Sequence, residues 1–220
     1  MINSKKNIFK IIIAVLLEFG VLFAIVLFQQ NILMSFSLLI RAVLMIVVQW
    51  TLLIVPIIFM WKNGDKLIDI GFSKNNIAVQ IFTGAMIGIT MSLIFTVLPI
   101  LAGLKDMVGS TTYTQAWQFC YQFVYMILGV ALVEELFYRG FLFKKLLDVN
   151  GSKWFSIIIS SVIFGLSHIL SGNILQVFTT SLLGIFFCLC RDKLKNCTTL
   201  SLVIAHGMHN ALITLFVAVL

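Results

Sequence analysis

FCYQFVYMILGVALVEELFYRGFLFKKLL, residues 119–147, opens with fifteen residues that carry no charge. A helix needs about 20 apolar residues to cross a hydrocarbon core ~30 Å thick. The run reads as a membrane span, and it is an unusual one. Glu134, Glu135 and Arg139 interrupt it, yet Phe141-Leu142-Phe143 and Leu146-Leu147 continue the apolar pattern beyond them. Ionisable groups at membrane depth are costly and persist mainly where they do something.

The rest of the chain has the same character. It is 61% hydrophobic and 10% charged, with a mean hydropathy of +1.11. Soluble domains average about 25% charged residues, so this composition leaves too little polar surface to face water. Seven apolar spans are expected, at 8–28, 38–60, 77–101, 119–147, 154–170, 174–190 and 199–220. A β-barrel would instead show alternating strands of ~10 residues. The expected fold is therefore all-α, a polytopic transmembrane helix bundle. Residues 1–115 form a part without motif, residues 116–220 a part with motifs, and the two make one integral membrane unit. The basic start followed by an apolar run resembles a signal peptide, but the run is long and lacks a clear small-residue cleavage site. It reads as a retained first helix.

The net charge of +7 raises a nucleic-acid partner, and the placement of the charges argues against one. The lysines form short clusters between spans, with no basic stripe. Thirteen of the fifteen basic residues fall before span one, between spans two and three, around the end of span four or after span six. Lys105 and Arg41 are left for the other side. By the positive-inside rule the N-terminus is cytoplasmic and the C-terminus external. The four cysteines, Cys120, Cys188, Cys190 and Cys197, read as small apolar packing residues. Cys188 and Cys190 are too close on one helix to bridge easily. Trp50, Trp61, Trp117 and Trp154 stand near span ends, as interfacial anchors do.

Two further polar clusters lie in later spans, Phe164-Gly165-Leu166-Ser167-His168 and His206-Gly207-Met208-His209-Asn210, and they hold all three histidines. At a rise of ~1.5 Å per residue, Glu134 lies ~20 Å from the cytoplasmic face, His168 ~21 Å, His206 ~12 Å and Asn210 ~18 Å. This requires the fourth helix to continue to about Leu147; a helix ending at Phe137 would put Glu134 and His168 at opposite faces. Glu135 and Arg139 are four apart, share a helix face and suit a supporting ion pair. Glu134 lies about 100° around the helix, freer to face a cavity. A Glu–His pair can hold a water, take its proton and pass one to a leaving amine. His206 and Asn210 also share a face, and together can donate to an oxyanion. Phe164 reads as packing that orients the His168 helix. His209, Gln49, Gln80, Gln122 and Gln176 read as interhelical hydrogen-bonding groups. Glu18 is a buried carboxylate with no motif around it, meeting a polar partner or lying near an interface.

Glu-Glu-x-x-x-Arg at 134–139, Phe-x-x-x-His at 164–168 and His-x-x-x-Asn at 206–210, in this order on successive helices, resemble the CPBP family of intramembrane proteases. The family, also called Abi, includes CAAX prenyl endopeptidases and bacteriocin-processing or immunity proteins. The resemblance covers about residues 117–215, with Arg139-Gly140-Phe141-Leu142 and Ser160-Ser161 also similar to it. It implies that Glu134 and His168 activate water, His206 and Asn210 stabilise the oxyanion, and Glu135 and Arg139 support the site. The family is often called metalloprotease, and two His plus a Glu are a plausible set for a divalent metal such as zinc. HExxH is absent and Asn210 suits an oxyanion role, which favours a metal-independent glutamate mechanism.

The resemblance thus implies an endopeptidase acting on a membrane-embedded or membrane-associated peptide, with the lipid bilayer as its surroundings and no nucleic acid. The Lys-, Asn- and Ile-rich composition suggests a low-GC bacterium and its cytoplasmic membrane. Bacteriocin leaders and pheromone precursors are then candidate substrates, in maturation or self-immunity. A non-catalytic membrane immunity or regulatory protein is the alternative. A transporter or proton relay is a third reading, disfavoured because there are no paired broken helices and no repeat.

Overall fold

The computed structural model describes residues 2–170 and 174–220, with the side chains of 2–6, Lys5 and Lys6 among them, outside the description. Among the described residues seven helices are long and apolar enough to cross a membrane: α1 (Asn7–Ser35), α2 (Leu38–Asn63), α3 (Ile77–Leu101), α4 (Ala116–Asn150), α5 (Lys153–Leu170), α6 (Ile174–Lys193) and α7 (Thr199–Val219). No strand occurs among them. The expected seven-helix membrane bundle is the observed one. Many large apolar side chains are exposed on its outer surface, Phe82, Phe155, Ile158 and Phe178 among them. Such a surface belongs against lipid.

Local chemistry sets the helix ends. α4 stops at Asn150 because Gly151 takes the left-handed conformation, φ 72°, the common glycine stop. One residue on, the Ser152 hydroxyl accepts the Phe155 N–H and starts α5. Thr198 and Ser201 cap α7 reciprocally, side chain to backbone in both directions. Pro56 in α2 lacks an N–H, and the turn before it, Trp50–Leu53, tightens into a 3₁₀ helix. α4 does run past Leu147, as the depth argument requires, and its 35 residues exceed a minimal span. It is also wound irregularly. Tyr125–Ala131 and Glu135–Leu142 are π-helical.

Small residues bring the helices close. A Cβ on Gly88 of α3 would lie 2.7 Å from the Ala205 carbonyl oxygen of α7, and one on Gly207 of α7 would lie 2.6 Å from Ile127 Cα of α4. α5 and α6 meet in the same way, with Gly184 against Ser161 and Gly165 against Ser181. α7 is thereby held between α3 and α4, and α1 lies along the second half of α4. Gln49, His209 and Gln80 bridge helices as expected. Gln49 donates to the Tyr125 hydroxyl at 3.4 Å, Ser92 and the His209 Nδ1 meet at 3.1 Å, and Gln80 accepts from Thr198 at 2.5 Å. All four tryptophans are exposed, and Trp50 is in addition tied to α4, donating to the Leu128 carbonyl at 2.8 Å.

Candidate active site

The site is built on the second π-helical stretch of α4. All eight residues Glu135–Leu142 are buried. Glu135 is completely inaccessible and Arg139 almost so, and their ion pair closes at 3.0 Å between Nη1 and Oε1, as their spacing predicts. A buried guanidinium needs more than one carboxylate. Here it lies over the Phe164 ring, 3.9 Å from its centre, and 5.4 Å from the centre of Phe187. A desolvated cation over an aromatic face gains about 2 kcal/mol, so the two rings stand in for hydrogen bonds that the Arg139 N–H groups do not form. A second arginine, Arg191 at the end of α6, donates to the Arg139 carbonyl and to Thr199, and lies over Phe143. The π-helical segment is thus held in place from α5, α6 and α7.

His206 of α7 reaches between the two glutamates. Its Nδ1 is 2.8 Å from Glu135 Oε1, and its Nε2 is 3.7 Å from Glu134 Oε2. Arg139 keeps Glu135 an acceptor, so Nδ1 carries the hydrogen and Nε2 points at Glu134. To donate from Nε2 as well, the imidazole must hold both protons. Glu134 retains 20% of its side-chain exposure and Glu135 none. This matches the division between a freer Glu134 and a locked Glu135.

His168 sits at the last turn of α5. Its Nδ1 is 3.0 Å from the Phe164 carbonyl oxygen and 3.3 Å from the Ser167 hydroxyl. A carbonyl can only accept, so Nδ1 is the donor and Nε2 is the basic nitrogen. The His168 ring meets Phe164 edge-on at 5.0 Å, and His206 meets the same ring at 6.0 Å. The two histidines therefore flank one phenylalanine. Asn210, half-buried, follows one turn after His206 on the same face of α7.

The pairing of His206 with Glu135 was not expected; spacing joined Glu135 to Arg139 alone. Phe164 is also more than packing for its helix, since it touches Arg139, His168, His206 and, at 5.1 Å, Tyr138. Its position four residues before His168 was a usable signal, because such residues share a face. Phe187 carried no signal in a helix apolar on every side. Among the described residues no three His, Cys, Asp or Glu side chains converge as a metal-binding group. The His206 Nδ1 is engaged by Glu135, and these side chains do not form the zinc set considered from the sequence.

A family model described as type II CAAX prenyl endopeptidase Rce1-like matches residues 116–212. No curated protein and no solved structure matches the chain. The matched residues begin at the first residue of α4 and include every cluster described above. Residues 116–212 thus match a model that belongs to the CPBP, or CAAX protease, family of intramembrane endopeptidases.

Proposed function

We propose that the protein hydrolyses a peptide bond in a small membrane-associated peptide, within the bilayer of a bacterial cytoplasmic membrane. The observation that carries this reading is the chain from half-buried Glu134 through His206 and Glu135 to Arg139, with links of 3.7, 2.8 and 3.0 Å. A structural ion pair needs only Glu135 and Arg139. A reactive carboxylate beside an imidazole fixed by a second carboxylate is the arrangement that acid–base chemistry needs.

In the proposed reaction Glu134 and His168 hold the water. As its oxygen attacks the scissile carbonyl carbon, its proton passes to the Glu134 carboxylate. The carbonyl electron pair moves onto oxygen, and His206 and Asn210 donate hydrogen bonds to that oxyanion. Collapse of the tetrahedral intermediate breaks the C–N bond, and Glu134 returns the proton to the departing amine. Arg139 and Glu135 hold His206 in register throughout. With the N-terminus cytoplasmic, the site opens toward the inner leaflet. Bacteriocin leaders and pheromone precursors fit as substrates because they are short, apolar and processed at membranes.

Terminal-peptide mass spectrometry tests the proposal on three strains, which lack the protein, carry it, or carry Glu134→Gln at matched abundance. The expected result is a peptide end seen only with the wild type, which would also name the substrate. Identical peptide ends with wild type and Glu134→Gln, in a strain where the protein still confers a phenotype, would overturn it in favour of a non-catalytic immunity or regulatory role.

A further inference from the structure

Glu18 lies in α1, far outside the matched segment 116–212 and without motif neighbours. It is only 1% exposed, and its Oε2 has no hydrogen-bond partner among the described residues. Nothing in the mechanism above uses it. Neighbouring packing shows what it faces. Ile11, Ala14, Glu18 and Ile25 are the buried stripe of α1, at helical spacing. On one side of Glu18, Ile11 and Ala14 belong to the core cluster of Leu136, Phe137, Tyr138 and Phe141. On the other side, Ile25 packs with Val133 and Leu52. Glu18, midway along the stripe, is therefore opposite the turn of α4 that carries Glu134 and Tyr138.

Electrostatics agree with packing. Glu134 is the charged group within range of Glu18, and Tyr138 lies within range of both. The Glu134 Oε2 and the Tyr138 hydroxyl are buried too, and neither meets a protein atom in hydrogen-bond geometry, although Ser167 lies near the hydroxyl. Three polar atoms without a hydrogen-bond partner among the described residues thus lie within electrostatic range of one another on two helices. The cations nearby are occupied, since Arg139 is engaged by Glu135 and two rings. His206 lies on Glu134 from α7, and His168 stands at the end of α5. Isolated ionised carboxylates are not tolerated in such a medium, and two of them in range of each other accommodate a common proton.

We propose that Glu18 is a positioning residue for Glu134, sharing one proton with it directly or through one water, with the Tyr138 hydroxyl closing the group. The shared proton fixes the orientation of the Glu134 carboxyl and limits the buried negative charge beside Glu135. α1 thereby completes a site whose motifs all lie in α4, α5 and α7. The inference rests on the proteolytic reading for its consequence, but not for its detection.

Infrared difference spectroscopy on the full chain in liposomes, titrated through neutral pH, reads the carbonyl stretch of a protonated carboxyl without any substrate. The wild type is expected to show such a band, Glu18→Gln to lose it, and Glu134→Gln to move its frequency and its midpoint. A band indifferent to Glu134→Gln, or no band assignable to Glu18, overturns the proposal. Should Glu18→Gln fail to fold, the response of the band to Glu134→Gln and Tyr138→Phe decides alone. On the peptide identified by the strain comparison, Glu18→Gln is expected to lower kcat roughly ten- to a hundredfold with KM and thermal midpoint unchanged. A lowered midpoint with full turnover per folded molecule would make Glu18 merely structural. If no peptide is cleaved but the infrared coupling holds, proteolysis fails and the shared proton stands.

Discussion

Glu135 and Arg139 show how far a single pair constrains its surroundings. Both are buried completely or almost so, and removing one partner leaves an uncompensated charge. Arg139→Leu is expected to destabilise the protein by about 3–5 kcal/mol, because Glu135 is then stranded. The double substitution Glu135→Leu with Arg139→Leu is expected to recover much of that loss. It should nevertheless stay inactive, since His206 loses the acceptor for its Nδ1. Unfolding in mixed detergent micelles, paired with peptide-end analysis, measures both. A double variant as unstable as the single one would contradict the account. The pair itself was legible in the sequence, since a spacing of four on a helix is a local fact. His206 as the third member was not. Its distance from Glu135 depends on how α7 approaches α4, which no local pattern encodes.

At the scale of the helix, glycine decides how near α7 comes to α4. A Cβ on Gly207 would sit 2.6 Å from Ile127 Cα, which is backbone and cannot swing aside. Gly207→Ala is expected to push α7 outward, carrying the adjacent His206 away from Glu134 and Glu135. The expected cost is about 1–3 kcal/mol, together with lost cleavage. Gly20→Ala in α1 is the control, because a Cβ there meets nothing within 4 Å. Thermal unfolding of both variants in detergent separates the outcomes, and equal stability would refute the close-approach argument. The helices were readable as apolar runs near the required length. The π-helical turns of α4 were not. In a helix covered by lipid on one side and apolar helices on the other, most positions on both sides are hydrophobic, so the pattern cannot distinguish one winding from another.

For the whole molecule, the charge asymmetry read from the sequence has a structural counterpart. Lys10 meets Asn63, Lys145 pairs with Asp65, and Lys153 pairs with Asp192. These contacts tie the start of α1 and the end of α4 to the end of α2 and the loop after it, and the start of α5 to the end of α6. The sequence revealed this asymmetry because charge near span ends is set by insertion, one loop at a time. It did not reveal that α1 lies along α4, since lipid and protein accept the same apolar side chains. By the positive-inside rule the lysine-rich rim is expected to be cytoplasmic, and impermeant thiol labelling tests this. Lys66 and Thr112 are exposed in loops at opposite ends of α3. Single cysteines there, in a chain whose Cys120, Cys188 and Cys190 are replaced by Ala, report the two sides. Cys197 can remain. It is buried in the α6–α7 loop, desolvation pushes its thiol up, and the thiolate that a maleimide requires is scarce at neutral pH. On intact cells Thr112→Cys is expected to label at once and Lys66→Cys only after permeabilisation. The opposite pattern would turn the molecule over and put its site toward the outer leaflet. The substrate would then have to be sought among peptides that have already crossed the membrane.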